Sequence, residues 1–401
     1  MDKKINEFKS LLQLNEELSQ INDLDAVLDY LLTKARKMTN ADGGTIYIAK
    51  EDKLKFSYTQ NDTLFSSNLD NKNLYSNLTI NIDETSIAGY SAYKKELLNI
   101  PDCYKLGDRF SYHFNSSWDK KSGYHTQSML TQPIKNVNDV VVGVIQLINA
   151  KDSSGKIIPF SKDDEVLISY FAGNASVHIE RANLTRELIL RMIKMAELRD
   201  PKETGPHVNR VGAFAAELYE HWATKNNISY SKIKKLKGNM RLSAMLHDVG
   251  KIAISDTILK KPGRFDDEER AIIKTHTIFG AQLFKNSTSE LDKLSLDIAL
   301  NHHERWDGKG YPGKVKDIYS EDVKMAEGKK ADEIPLCGRI VAIADVYDAL
   351  MSSRYYKESW TEKDTLNEIK KCGGTQFDPK LVNYFMEIHA TIHAIRAKYQ
   401  D

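Results

Sequence analysis

The chain is poor in every feature that would mark it for an oxidising compartment or a membrane. Only three of its 401 residues are cysteines (Cys103, Cys337 and Cys372), and no two have CxxC spacing, which argues against a disulfide framework and a thiolate zinc site. No run of about 18 apolar residues occurs. The opening MDKKINEFKSLLQLNEEL is amphipathic rather than a basic start with an apolar core, so neither secretion nor a membrane span is expected. A cytoplasmic location fits these absences. Net charge is equally scarce: 57 Lys and Arg against 56 Asp and Glu leave +1, too little to draw the chain to a nucleic acid polymer or an anionic membrane. Any anionic ligand must therefore be held by a local site. Glycine (21) and proline (9) are few, and with 41% hydrophobic and 28% charged residues this excludes wholesale disorder. The length allows two or three domains.

Histidine is distributed unevenly, with six of the 11 falling between His207 and His303, so the chemistry is expected in the C-terminal half. The N-terminal half opens with helix-period sequence in which Leu24, Val27, Leu28, Leu31, Leu32 and Ala35 recur at spacings of three or four, predicting one buried face. ADGGTIYIAKEDKLKFSYT reads as two strands around a turn and VVVGVIQLINAKD as a buried strand, an α+β pattern. The polar stretch 60–130 reads as irregular connections and short strands. From Asp164 to Arg199 there is no proline and one glycine, predicting a helix that joins the two halves. A heptad along it (Leu167, Tyr170, Asn174, Val177, Arg181, Leu184, Leu188, Arg191, Met195, Leu198) is interrupted by polar residues. It is read as a parallel dimer seam, with a helix packed only on its own domains as the alternative. The remainder reads as all-helical. The boundaries are 1–163, a linker helix over 164–199, and 200–401. The basic segment 228–241 is read as a solvated helix face.

Several histidines and carboxylates fall where metal ligands would be needed. KKLKGNMRLSAMLHDVGK ends a helix in His247-Asp248 with Gly250 just beyond, and adjacent imidazole and carboxylate can share one divalent ion. DDEERAIIKTHTIFGAQLF reads as one helix with an Asp266/Glu269 capping box and a buried stripe of Ile272, Ile273, His276, Gly280 and Leu283. A further helix ends in His302-His303-Glu304, and two consecutive imidazoles there suggest metal. Asp345 and Asp348 share a helical face amid small apolar residues, where an unpaired carboxylate is costly unless a metal offsets it. Glu203 stands four residues before His207, a spacing that brings both to one point if the intervening Gly205-Pro206 is helical. This N/O donor set without thiolate suits iron(II), manganese or a mixed pair, and two such ions suit phosphate-ester hydrolysis. Lys251, Arg354 and Lys357 are the nearby cations expected on substrate phosphates.

In this order, HDVGK (247–251), KTH (274–276), HHERWDGKGYPG (302–313), ADVYDALMSSRYYK (344–357) and GGTQFDP (373–379) closely resemble an HD-GYP domain. The resemblance implies an all-α HD-superfamily catalytic domain that opens cyclic di-GMP to pGpG and often on to GMP, with related members accepting cyclic GMP-AMP. It implies His207, His247, Asp248, His276, His302, His303 and Asp345 as metal ligands, Asp248 as the bridge, and Lys251 as the residue assisting the leaving oxygen. Gly310, Tyr311 and Pro312 would help shape the substrate site, and Arg354 and Lys357 would hold phosphates. Two departures stand out. RDPKETGPH is one residue longer than the usual motif and supplies Glu203, as in a subgroup with a third metal, so two or three divalent ions are expected, iron foremost and manganese second. The stretch between Gly313 and Ile334 is longer than usual, and reads as a solvated loop rather than a lid.

The first half more loosely resembles a GAF domain, through LLTKARKMTNADGGTIYI and through Asn149, Lys151, Phe160 and Asp164-Glu165, a pattern that can equally brace a loop by a salt bridge. A GAF-like sensor is expected to dimerise the chain, to bind an unidentified small ligand or cyclic nucleotide, or both. The competing readings are a nucleotide hydrolase of the wider HD superfamily, which does not require the GYP segment, and a non-catalytic cyclic di-GMP receptor, which would lack ligands or the tyrosine. The intact HHERWDGKGYP argues against both.

Overall fold

The computed structural model describes residues 16–19, 21–65, 79–107, 110–199, 205–286, 289–320, 323–352 and 359–399. The chain separates into two compact units, with the division between Leu184 and Thr185.

In the first unit, α1 (Leu24–Met38) starts where the Asp23 side chain accepts the Ala26 N–H at 2.9 Å. The expected stripe of Leu24, Val27, Leu28, Leu31, Leu32 and Ala35 is buried. Full burial of a leucine stabilises by about 1.5–3 kcal/mol, so this face alone fixes α1 on the sheet. That sheet is antiparallel throughout: β1 (Ala41–Lys50), β2 (Lys53–Asn61), β3 (Thr79–Asn81), β4 (Leu98–Ile100), β5 (Met129–Lys135), β6 (Val141–Lys151) and β7 (Ile157–Ile158), in the order β3-β2-β1-β6-β5-β4 with β7 on β6. The stretch expected to be irregular also carries α2 (Ile87–Lys94), capped where the Ser86 hydroxyl accepts the Gly89 N–H. Aromatic and polar side chains including Tyr47, Phe56, Trp118, Tyr124, Gln60 and Gln146 line a cavity of about 490 Å³ in this unit.

Asn149 and Lys151 brace this unit. Lys151 pairs with buried Asp42 rather than with Asp164 or Glu165, and Asp42 also accepts from the Thr63 and Tyr124 hydroxyls. Burial would raise the Asp42 carboxyl, but the Lys151, Tyr124 and Thr63 donors together hold it below the usual carboxylate range. Asn149 adopts a left-handed φ of 55°, accepts the Gln127 and Ser128 N–H groups and donates to the His125 carbonyl. Glu165 instead accepts from Asn99, and Asp164 from Ser161.

The division between the units falls within α3 (Lys162–Glu197), a 36-residue helix with two apolar stripes. Ile168, Phe171, Ala175, Ile179 and Ala182 join the first core, and Ile189 and Ile193 join a core of the second unit. On the heptad positions, Tyr170, Val177, Leu184, Leu188, Met195 and Leu198 are exposed. Arg181 of the same heptad is tied down within the first unit, donating to the Ser19 carbonyl at 2.8 Å and to Asn22 at 3.0 Å.

The second unit is helical, with no strand among its described residues. It comprises α4 (Gly205–Lys225), α5 (Tyr230–Ala244), α6 (Asp267–Lys274), α7 (His276–Gln282), α8 (Glu290–Asn301), α9 (Leu336–Met351), α10 (Glu362–Lys371), α11 (Pro379–Glu387) and α12 (His389–Lys398). Phe214, Leu218, Ile340, Ile343, Tyr347 and Phe385 are at its core. In the basic segment, Lys235 and Lys237 pair with Glu290 and with Glu217 and Glu220 of neighbouring helices. Cys337 is buried among apolar residues and all three cysteines are free. Among the described residues no helix is long and apolar enough to cross a membrane.

Three local expectations are corrected. The helix expected over 266–284 has its capping box at Asp266 and Glu269 but breaks at Thr275 into α6 and α7. The break turns Ile272 and Leu283 outward while His276 and Gly280 stay buried. Gly250 is not a helix cap, since α5 ends at Ala244; a Cβ there would come within 2.0 Å of the His276 carbonyl oxygen and 2.3 Å of the Gly280 nitrogen. The segment between Gly313 and Ile334 is not a free solvated loop. Val315, Ile318, Val323 and Met325 pack against Ile278, Ala281 and Leu300, and Gln282 donates to the Ile318 carbonyl.

Candidate metal centre

Five helices and the turns that follow them bring the sequence-selected residues together. His207 lies in the first turns of α4, His247 and Asp248 in the turn after α5, His276 at the start of α7, His302 and His303 just after α8, and Asp345 on α9. They form two adjoining groups. Potential ligand atoms of Asp248, His276, His302 and His303 all lie within 4.8 Å of one another, as do those of His207, His247 and Asp345. Asp248 stands between them: its Oδ2 is 3.3 Å from His247 Nε2, and its Oδ1 is 3.0 Å from His276 Nε2 and 3.5 Å from His302 Nε2.

Backbone carbonyls fix which way each ring faces. Nδ1 of His247 lies 2.8 Å from the Ala244 carbonyl, Nδ1 of His276 2.6 Å from that of Ile273, and Nδ1 of His302 3.1 Å from that of Ile298. A carbonyl only accepts, so each Nδ1 carries the proton and each Nε2 turns inward. Burial lowers the pKa of His302, and burial with the two neighbouring imidazoles holds His303 well below the usual histidine range. His302 therefore offers a lone pair. Nε2 of His276 and His302 and Oδ1 of Asp248 are buried without a hydrogen bond. Acceptors converging at 3.0–3.5 Å, cut off from water, are unfavourable unless a cation lies among them. Three imidazoles, one carboxylate and no thiolate fit a divalent ion of borderline hardness.

Burial would raise the Asp248 carboxyl, but the Lys251 ammonium beside it holds it well below the usual carboxylate range. Lys251 Nζ lies 2.6 Å from Asp248 Oδ2. Asp348, sharing a helical face with Asp345, has another duty. Fully buried, it accepts from His207 Nδ1 at 2.8 Å, Arg210 Nε at 2.6 Å and Arg210 Nη2 at 3.0 Å. The Arg210 guanidinium balances its charge, so it needs no metal, and its hydrogen bond with Nδ1 fixes the His207 ring. His207 Nε2 lies 3.7 Å from Asp345 Oδ1.

The Tyr311 ring stacks on His303 with centroids 4.8 Å apart, and the Lys274 ammonium lies 5.2 Å over the same ring. Gly310 and Pro312 flank this tyrosine in the loop following α8. Glu203, Arg354 and Lys357 fall outside the described residues.

Sequence reasoning missed three supporting side chains: Asp348 in its orienting role, Arg210 and Glu304. Glu304 accepts the Gly313 N–H at 2.6 Å and the Lys329 N–H at 3.0 Å. Burial pushes its carboxyl up, against the pull of those two amides. Its place directly after His302-His303 was the only signal in the sequence. The GGTQFDP segment is structural: the Thr375 and Gln376 carbonyls accept from Asp307 and Trp306, and Asp378 caps α11 and pairs with Arg339.

The GAF domain family matches residues 23–179 and the HD domain family residues 204–350, so the chain carries a GAF domain followed by an HD domain. Among curated proteins the chain is similar to "3'3'-cGAMP-specific phosphodiesterase 2" of Vibrio cholerae, at 35% identity over 60% of this chain and 43% of that protein. It is also similar to "Cyclic di-GMP phosphodiesterase" of Vibrio cholerae, at 36% over 54% of this chain and 42% of that protein. A protein of the same name from Thermotoga maritima is 35% identical over 53% of this chain and 52% of that protein. The matches thus span about half the length of these relatives, or less.

Proposed function

We propose that this chain, a GAF domain followed by an HD domain, is a metal-dependent phosphodiesterase that hydrolyses cyclic di-GMP to pGpG and on to GMP. The observation that carries the reading is the meeting of two imidazole–carboxylate groups at Asp248, with Tyr311 stacked on His303 beside them. His207, His247 and Asp345 would hold one divalent ion and His276, His302 and His303 another, Asp248 giving one carboxylate oxygen to each. Bound there, two such ions would supply Lewis acidity for attack at a phosphodiester and neutralise the charge that develops. We take iron as the resident metal and manganese as the substitute, because the donors are nitrogen and oxygen only. Glu203 would hold a third ion, and Glu203→Ala would then lower bound metal from near three to near two per chain.

Around the ions the chain's own residues do the rest. Lys251, held beside the centre by Asp248, would give a proton to the leaving ribose oxygen. Tyr311, with Gly310 and Pro312, would form one wall of the substrate site, and Arg354 and Lys357 would bind the phosphates. We assign catalysis to 200–401, sensing to 1–163 and coupling to 164–199. The first unit's cavity would take a small ligand, and the exposed heptad stripe of α3 would make a parallel homodimer. The free cysteines suit a cytoplasmic setting.

A second reading, cyclic GMP-AMP as the preferred substrate, is supported by the similarity to the cGAMP-specific phosphodiesterase. The test is turnover of both cyclic dinucleotides by anaerobically purified, metal-analysed protein, with pGpG and GMP resolved. Faster cleavage of cyclic GMP-AMP would favour the second reading. Metal-replete protein that binds cyclic di-GMP but cleaves neither dinucleotide would overturn the hydrolase assignment.

A further inference from the structure

The segment from Ala326 to Ala331 is bound to both ends of the loop that carries Tyr311. The Ala326 N–H donates to the Pro312 carbonyl at 2.9 Å, and the Lys314 N–H donates to the Glu327 carbonyl at 2.9 Å. At the far end the Ala331 N–H donates to the Trp306 carbonyl at 3.1 Å, and Asp307 and Lys330 form an antiparallel bridge. The approach is so close that a Cβ on Gly328 would come within 2.3 Å of the Gly308 carbonyl oxygen, and one on Gly313 within 2.4 Å of the Ala326 oxygen. Gly313 has φ +86°, which also favours glycine.

Glu304 joins the two segments of this arrangement. Its Oε1 accepts from Gly313 in the tyrosine loop, while its Oε2 accepts from Lys329 in the crossing segment. Lys329 also reaches back to Asn301, whose Oδ1 accepts its Nζ at 2.5 Å. Asn301 and Glu304 flank His302 and His303 in sequence, so one crossing segment is tied on both sides of the paired imidazoles. The His303 carbonyl accepts the Tyr311 N–H at 3.3 Å. The tyrosine loop is thereby tied to the His303 backbone directly and, through Glu304 and the crossing segment, on both sides of the paired imidazoles.

We propose that residues 326–331 form a strap that holds Tyr311 in register with the metal centre, and that Glu304 is the positioning residue that fastens it. Glu304 acts through Gly313 and Tyr311 rather than on the reacting atoms. The strap thus sets affinity for a substrate large enough to reach Tyr311, and leaves cleavage of a small diester to the centre itself. This inference rests on the reading of the second unit as a cyclic dinucleotide phosphodiesterase.

The test compares full-length wild type, Glu304→Ala, Glu304→Gln and Gly328→Ala on cyclic di-GMP and on bis(p-nitrophenyl) phosphate, with bound metal measured in each. Glu304→Ala and Gly328→Ala are expected to raise KM for cyclic di-GMP by about tenfold to a hundredfold, as misplacing a substrate-positioning group does. kcat/KM for the small diester and the metal content should stay within about twofold. Glu304→Gln, which keeps one acceptor oxygen, should fall between wild type and Glu304→Ala. Parallel losses on both substrates, or loss of metal, would make Glu304 merely structural and overturn the proposal, as would an unchanged KM for cyclic di-GMP in both variants. A wild type that cleaves the small diester and neither cyclic dinucleotide would sink the functional reading and the strap's role together.

Discussion

The two units each bury a carboxylate among polar groups, and they treat it in opposite ways. In the first, Asp42 faces only donors: the Lys151 ammonium and the Thr63 and Tyr124 hydroxyls. In the second, the Lys251 ammonium meets only Oδ2 of Asp248, while Oδ1 faces the inward Nε2 atoms of His276 and His302, whose protons are committed to backbone carbonyls on the other side of each ring. A buried acceptor surrounded by donors is complete, and its purpose is packing. A buried acceptor surrounded by acceptors is complete only with a cation. Asp348 sharpens the contrast: it lies one turn of α9 from Asp345 yet is wholly satisfied by His207 and Arg210. Position near a centre does not make a carboxylate a ligand; the identity of its partners does.

The contrast can be broken most severely at Asp248. Asp248→Ala is expected to reduce cyclic di-GMP turnover by about a thousandfold or more while the far-UV dichroism stays that of wild type. Metal-replete variant protein with the wild-type rate would remove Asp248 from the centre. Asp348→Asn should act on stability instead. It leaves the Arg210 guanidinium buried beside a neutral partner, at a cost of about 3–5 kcal/mol to the second unit in denaturant titration, with excess metal giving only partial recovery. Full recovery on adding metal would place Asp348 among the ligands and erase the distinction drawn here.

Asp42→Asn should destabilise only the first unit, by about 2 kcal/mol, since Lys151 retains some access to water. The sign of the pH dependence follows from the depressed carboxyl. Stability from ionised Asp42 is present above the unfolded value of about 3.9 and is lost as pH falls through the lower folded value. Wild type should thus lose first-unit stability on acidification more steeply than Asp42→Asn, as read by thermal melts from pH 6 downward. Equal acid slopes would show that the Asp42 pairing contributes nothing. The smallest effect on either cluster is expected from Leu184→Glu with Leu188→Glu, on the exposed face of α3. The double variant should sediment as a monomer at micromolar concentration while metal content stays at the wild-type level. A wild type that is itself monomeric would eliminate the seam.

Much of the centre was legible because its residues come in pairs or short motifs. His247-Asp248, His302-His303 and the inward His276 each carry a local signal, and the helix periods around them predicted which faces were buried. The break between α6 and α7 was missed because a turn at Thr275 leaves hydrophobic periodicity almost unchanged. Lys151 was recognised as part of a brace, but not its partner Asp42, which is 109 residues away in sequence. Asp345 and Asp348 looked equivalent, since both lie on one face of one helix, and no local feature separates them.

By itself the sequence determined the helix and strand periods, the two-part organisation and the chemical class of the donor set, because these depend on residue type and on spacings of a few positions. Tertiary structure alone decided which carboxylate meets donors and which meets lone pairs. Arg210 reaches Asp348 across 138 positions, and Glu304 reaches Lys329 across 25. Whether a buried charge is satisfied depends on atoms within about 4 Å in space, and a folded chain brings such atoms together from segments that share no local pattern.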